Sequence, residues 1–147
     1  MRFFLVGLIT VILSSCLSEP DCLVTASNEV KIVFKKKDTD TLKYVKYPVI
    51  MLSGTDAVFA ADSVTGIKLY VNPATQETTF KFQTETGTVD TLTLQYDVKN
   101  ILISPACGAY RYYSGVRVVS YSHFDTVRVT NPTLSNNIQV QNVEIKF

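Results

Sequence analysis

The feature that most constrains the fold is a two-residue alternation of apolar and polar side chains, which runs from Val30 to the end of the chain. It is clearest in TTFKFQTETGTVDTLTLQYDV, residues 78–98, where apolar residues from Phe80 and from Leu92 alternate with polar ones on either side of Gly87. Alternation of this kind turns one face of a strand to a core and the other to solvent. The segment therefore predicts an antiparallel hairpin with one apolar face.

The rest of the chain after residue 29 has the same period, and no sustained helical pattern interrupts it. Besides the hairpin, we predict short strands at residues 30–35, 42–52, 57–61, 66–71, 101–104, 115–124, 125–130 and 138–147. A succession of short strands with frequent turns is typical of all-β domains. We predict a single antiparallel β-sandwich of the Ig-like or Greek-key type, with a barrel as the alternative.

Two positions predict local irregularities in these strands. Pro48 has no backbone N–H to donate, so it should lie at a sheet edge or a bulge. Near the C-terminus, Ile138 and Val140 follow one phase of the alternation, whereas Val143 and the residues after it follow the other. This change of phase at positions 141 and 142 predicts a β-bulge.

The N-terminus has the layout of a secretory signal. Arg2 supplies one positive charge and residues 3–13, FFLVGLITVIL, carry none. A helix of this length reaches about 16 Å, whereas the hydrocarbon core of a bilayer is about 30 Å thick. The segment is therefore too short to span a membrane, and no other stretch of the sequence is longer and as apolar.

The end of this segment, Leu13-Ser14-Ser15-Cys16, resembles the lipobox of bacterial lipoprotein precursors. The resemblance implies that the chain is cut before Cys16 and that this cysteine carries a diacylglycerol. The alternative is an ordinary signal peptide with a chance cysteine. We predict a lipoprotein signal peptide at residues 1–15, a lipidated tether at 16–21 and a β-sandwich domain at 22–147.

Charge and composition limit the ligands of the mature chain. The precursor has 14 Lys and Arg against 13 Asp and Glu, so removal of Arg2 leaves a formally neutral chain. Neutrality argues against nucleic acid, which requires a basic surface. One histidine and two remaining cysteines do not fill a tetrahedral metal shell. We expect no metal and no cofactor.

With Cys16 lipidated, Cys22 and Cys107 remain. Export places both in an oxidising compartment, where paired thiols persist as disulfides. A bridge between them is the first interpretation. Two free, buried cysteines that act as small apolar side chains are the alternative.

The candidates for catalysis are weak. Ser122, His123 and Asp125 are the three residue types of the Ser-His-Asp triad of serine hydrolases. Adjacent residues of a strand point to opposite faces, however, and the sequence has no Gly-x-Ser-x-Gly motif. We therefore predict no catalytic residues and a protein that is not an enzyme, with a hydrolase that uses His123 as the least favoured alternative.

The candidates for binding are aromatic. Tyr110 and Tyr112 should share one strand face, with Arg111 and Tyr113 on the other. If exposed, these side chains could bind a glycan, a small ligand or a protein partner. The alternative is that they line the core or cover the sheet, as β-favouring aromatic residues do.

Two further segments, SPACGAYRYY at residues 104–113 and NVEIKF at residues 142–147, carry a family resemblance. They resemble small uncharacterised lipoproteins of Bacteroides-type bacteria, which form a domain family of unknown function. The resemblance supports the lipid anchor and the Cys22–Cys107 pair, and it implies no activity. We expect a lipid-anchored protein of the cell envelope, in the outer membrane on its periplasmic or surface face, that acts as a structural or protein-interaction module.

Overall fold

The computed structural model describes Cys22 and residues 26–137 and 139–147, which form nine β-strands and no α-helix. The predicted signal peptide, Cys16, the tether and Ile138 lie outside these residues. The strands are β1 (Glu29–Lys35), β2 (Val45–Leu52), β3 (Val58–Val64), β4 (Gly66–Tyr70), β5 (Glu77–Gln83), β6 (Val89–Ser104), β7 (Gly108–Ser122), β8 (Thr126–Val129) and β9 (Val143–Lys146). No helix in this part of the chain has the length and hydrophobicity needed to cross a membrane.

The strands form two sheets that pack face to face. Sheet I has the order β4-β1-β9-β8 and sheet II the order β3-β2-β5-β6-β7. Neighbouring strands are antiparallel except β1 and β9, which run parallel. This arrangement confirms the prediction of an all-β sandwich.

The core lies between the sheets, and its residues follow the alternation in the sequence, although in β1 the intervening Lys31 and Val33 are buried as well. In β1, Val30, Ile32 and Phe34 point inward and are fully or almost fully buried. Phe80 of β5 pairs with Leu92 of β6 on the inner face of sheet II, as the predicted hairpin requires. Apolar side chains from both sheets thus exclude water from the interior, which is the main contribution to stability.

Sheet II differs from the prediction in the length of two strands. Separate short strands were expected at residues 101–104 and 115–124, but β6 and β7 run without interruption for 16 and 15 residues. Their pairing has three register shifts, and Gly115 lies beside one of them with a φ of 61°. At this φ a side chain would be strained whatever the space, and a Cβ would also displace the Asp97 carboxylate, so glycine is favoured at this position.

The prediction for Pro48 is confirmed. The pairing of β2 with β3 shifts register between Tyr47 and Ile50, and the pairing of β2 with β5 begins at Val49. Pro48 therefore lies where the ladder requires no N–H from it, although β2 is an interior strand of sheet II.

The predicted bulge at positions 141 and 142 is wrong. The last strand begins only at Val143, and Asn142 is buried beside β1. The Asn142 side-chain oxygen accepts a hydrogen bond from the Lys31 N–H, and its amide donates to the carbonyls of Asn131 and Thr133. These bonds hold residues 141 and 142 in a loop, whereas the sequence predicted a strand over residues 138–147 with a bulge at these positions.

Candidate functional site

The first candidate region is the turn that joins β6 to β7. Cys107 lies in this turn and forms a disulfide with Cys22, with Cα atoms 5.7 Å apart. The Cys107 N–H also donates to Oγ of Ser104. The disulfide decides between the two interpretations of these cysteines in favour of the bridge.

Residues 98–111 form the end of the β6–β7 hairpin, which we call the hairpin tip. Strand β5 pairs with β6 only as far as Gln95, so beyond Tyr96 the strand β6 is paired with β7 alone. Ile101, Leu102 and Ile103 are exposed there, Leu102 by 67%. The hairpin tip therefore presents a run of apolar side chains outside the core.

The four candidate binding residues separate into different environments. Tyr113 is buried and packs edge-to-face on Tyr96, with ring centroids 5.9 Å apart. Its assignment as a surface binding residue is wrong, because position 113 already lies over the core. Tyr110 and Tyr112 are half-buried, and the exposed Arg111 donates to the carbonyl of Pro73 at 3.0 Å. The four side chains do not form one binding surface.

A second candidate region is a polar cluster at the other end of the same strands. The Asp90 carboxylate is buried, accepts a hydrogen bond from the Tyr47 hydroxyl at 3.1 Å and lies 3.3 Å from Nδ1 of His123. Burial raises the pKa of the Asp90 carboxyl, and its contacts with Tyr47 and His123 partly offset this effect. Burial, together with the neighbouring Asp90 charge, also raises the pKa of the Tyr47 hydroxyl.

The structure does not bring Ser122, His123 and Asp125 together. Oγ of Ser122 lies 2.9 Å from Oγ1 of Thr91 and accepts the Thr91 N–H, and the Asp125 carboxylate pairs with Lys37 at 3.0 Å. The carboxylate beside the histidine is Asp90, 33 positions earlier in the chain. His123 itself is more than half exposed and adopts a φ of 60°, so it leaves the strand path.

The Asp90 cluster predicts a specific pH dependence of stability. The folded state holds the Asp90 proton to a higher pH than the unfolded chain, whose carboxyl titrates near 3.8. Between these two pKa values the folded state binds more protons, so the free energy of unfolding falls as pH rises. Asp90→Asn removes this titration, and its stability relative to wild type should therefore improve as the pH is raised from below 3.8 toward neutrality.

Urea unfolding at a series of pH values measures this difference, with Asp62→Asn as a control for removal of a largely exposed carboxylate from sheet II. A difference between Asp90→Asn and wild type that does not change with pH would contradict the assignment.

Among Cys22 and residues 26–137 and 139–147, no three His, Cys, Asp or Glu side chains lie close enough to hold a metal ion.

Comparison with known families identifies the domain. Residues 44–147, from just before β2 to the end of β9 and Phe147, match the Family of unknown function (DUF6452). The chain belongs to this family. The DUF6452 match contains Cys107, Asp90 and His123, whereas Cys22 and β1 precede it. No curated protein and no solved structure matches the chain.

The expected membership of an uncharacterised family is thus confirmed for the DUF6452 region, and the lipid anchor stays a prediction. Two features of this region were missed in the sequence. The Asp90 cluster joins residues from three separate segments, so no local pattern marks it. The hairpin tip did have a signal, because Ile101, Leu102 and Ile103 are consecutive and break the alternation.

Proposed function

We propose that the protein is a lipoprotein held at the cell envelope by a diacylglycerol on Cys16, and that its sandwich acts there as a non-enzymatic structural or protein-interaction module. The observation that carries the proposal is the disulfide of Cys22, six positions after Cys16. Disulfides of this kind persist in exported proteins and are rare in the cytosol. If the signal-like segment at residues 3–13 directs export, Cys22 is expected to be oxidised, as it is in this disulfide.

The length of the tether supports the same proposal. Six residue steps span at most about 20 Å when fully extended, so the sandwich would stay close to the bilayer. A single acyl chain gives only marginal membrane binding at about 0.8 kcal/mol per buried methylene, whereas two or three chains bind firmly. The lipid alone would thus retain the protein at the membrane.

The non-enzymatic role is supported by the contacts of the residues that resembled a hydrolase triad. Ser122 and Asp125 each have another partner, and the contacts of Asp90 connect β2, β6 and the residue after β7. Ser122, Asp125 and Asp90 thus have contacts that connect parts of the sandwich, which is a structural role. The family resemblance extends the proposal to the outer membrane.

The experiment is to express Cys16→Ser in a bacterial host that processes lipoproteins, with Ser18→Ala as a matched control in the tether. We expect Cys16→Ser to abolish labelling with radioactive palmitate and to move the protein from the detergent phase to the aqueous phase. The control should label and partition like wild type. Palmitate labelling of Cys16→Ser at the wild-type level would overturn the proposal.

A further inference from the structure

We propose that the hairpin tip, residues 98–111, is a membrane-docking surface whose Ile101, Leu102 and Ile103 side chains enter the interface of the bilayer. The proposal rests on the lipid anchor proposed above, and it assigns a second, independent contact between this protein and the membrane.

The first step is the unusual exposure of the tip. A strand in a sandwich has one buried face, yet Ile101 and Leu102 point to opposite faces of β6 and both are exposed. The exposure of both side chains means that neither face of β6 is covered at the tip, and beyond Gln95 the edge of β6 away from β7 is not paired with β5 either. Three consecutive exposed apolar residues are unfavourable in water unless another surface covers them.

The second step is the position of the tip relative to the anchor. Cys107 is in the turn of the hairpin, and its disulfide holds Cys22 at the same place. Cys22 is the first described residue after Cys16, so the first contact with the sandwich that the structure describes along this part of the chain is at the tip. With a tether of at most about 20 Å, the tip is the part of the domain held nearest to the lipids. Because the tip is held close to the lipids, we infer that the bilayer is the surface that covers it.

The third step is the composition of the tip. Residues 98–111 contain Lys99 and Arg111 but no Asp or Glu, whereas the mature chain as a whole is neutral. Tyr110 lies opposite Ile101 across the β6–β7 ladder and is half-buried. Tyrosine is enriched at membrane–water interfaces, and an exposed Lys side chain such as that of Lys99 reaches from an apolar surface to lipid headgroups, whereas Arg111 is already bonded to the carbonyl of Pro73. These residue types match an interfacial contact.

The test uses the absence of tryptophan from the sequence, so that an introduced indole is the sole one in the protein. Leu102→Trp places the probe at the tip, and Val119→Trp places it on an exposed position of β7 far from the turn. Each full-chain variant is purified from membranes in detergent and reconstituted into phosphatidylcholine–phosphatidylglycerol vesicles with brominated acyl chains. We expect Leu102→Trp to lose more than half of its fluorescence and to shift to the blue, and Val119→Trp to change little.

Three results would overturn the docking surface. They are an unquenched, water-like emission of Leu102→Trp, equal quenching of both variants, or a blue shift of Leu102→Trp without quenching by the brominated chains. The last result would mean that a second copy or another protein covers the tip.

The mass of the N-terminal peptide, measured on the same samples, tests the anchor separately. A lipidated chain with an unquenched tip overturns the docking alone. A chain without lipid on Cys16 overturns the anchor, and quenching of Leu102→Trp still decides the docking.

Discussion

Removal of the Cys22–Cys107 disulfide should lower the free energy of unfolding by roughly 4–5 kcal/mol, on the chain-entropy model for a loop of this size. The two cysteines are 85 positions apart, so the bridge restricts a large part of the unfolded chain. It also joins the segment before β1 to the two-stranded end of β6 and β7. Isolated two-stranded hairpins are marginally stable, and the bridge should therefore stabilise the tip in particular.

The variant that tests this is Cys22→Ser combined with Cys107→Ser, compared with wild type in urea by tyrosine fluorescence, since the chain has eight tyrosines and no tryptophan. Reductant should destabilise wild type by a similar amount and should leave the double variant unchanged. A double variant with the urea midpoint of the oxidised wild type would show that the bridge contributes nothing to stability. In the double variant, protection of backbone amides from hydrogen exchange should decrease more in residues 98–111 than in the rest of the domain.

Substitution of Phe82 by Ala should destabilise the domain by about 3–5 kcal/mol, the usual range for loss of a buried aromatic ring. Phe82 is fully buried and contacts three aromatic rings, those of Tyr47, Phe80 and Phe124. The ring thus joins β2, β5 and the segment after β7, and its neighbours can fill the cavity only in part. Because domains of this size are stable by only about 5–15 kcal/mol, much of the variant should be unfolded at elevated temperature.

The matched control for Phe82→Ala is Val58→Ala, which shortens a side chain of sheet II that is mostly exposed. Its effect should stay within about 0.5 kcal/mol. Equal urea midpoints for Phe82→Ala and Val58→Ala would contradict the assignment of Phe82 to the centre of the core.

Local sequence was sufficient for much of the architecture. The alternation in β1 predicted that Val30, Ile32 and Phe34 share the core face, and the pattern around Gly87 predicted the β5–β6 hairpin. These features depend on residues that are neighbours in the chain, and the two-residue period of a strand converts spacing directly into a face. The same is true of Pro48, whose missing N–H limits where it can lie.

Local sequence failed where contacts between distant segments outweigh a periodic pattern. Asn142 was expected in a bulge, but its side chain accepts a hydrogen bond from the N–H of Lys31, 111 positions away. The last strand begins only at the next residue, Val143. The short strands expected around residues 101–104 and 115–124 merge into β6 and β7 because each strand supplies the other with backbone partners. No local rule could place such partners.

The sequence by itself determined the all-β class and the faces of the core strands, because each is a property of consecutive residues. Only the tertiary structure decided that Asp90 is the carboxylate beside His123, that Tyr113 is buried, and that Cys22 is bonded to Cys107 at the end of the hairpin. The physical reason is that these contacts depend on how the two sheets stack and on where β6 extends past β5. Both are set by the packing of the whole core and not by the period of any one strand.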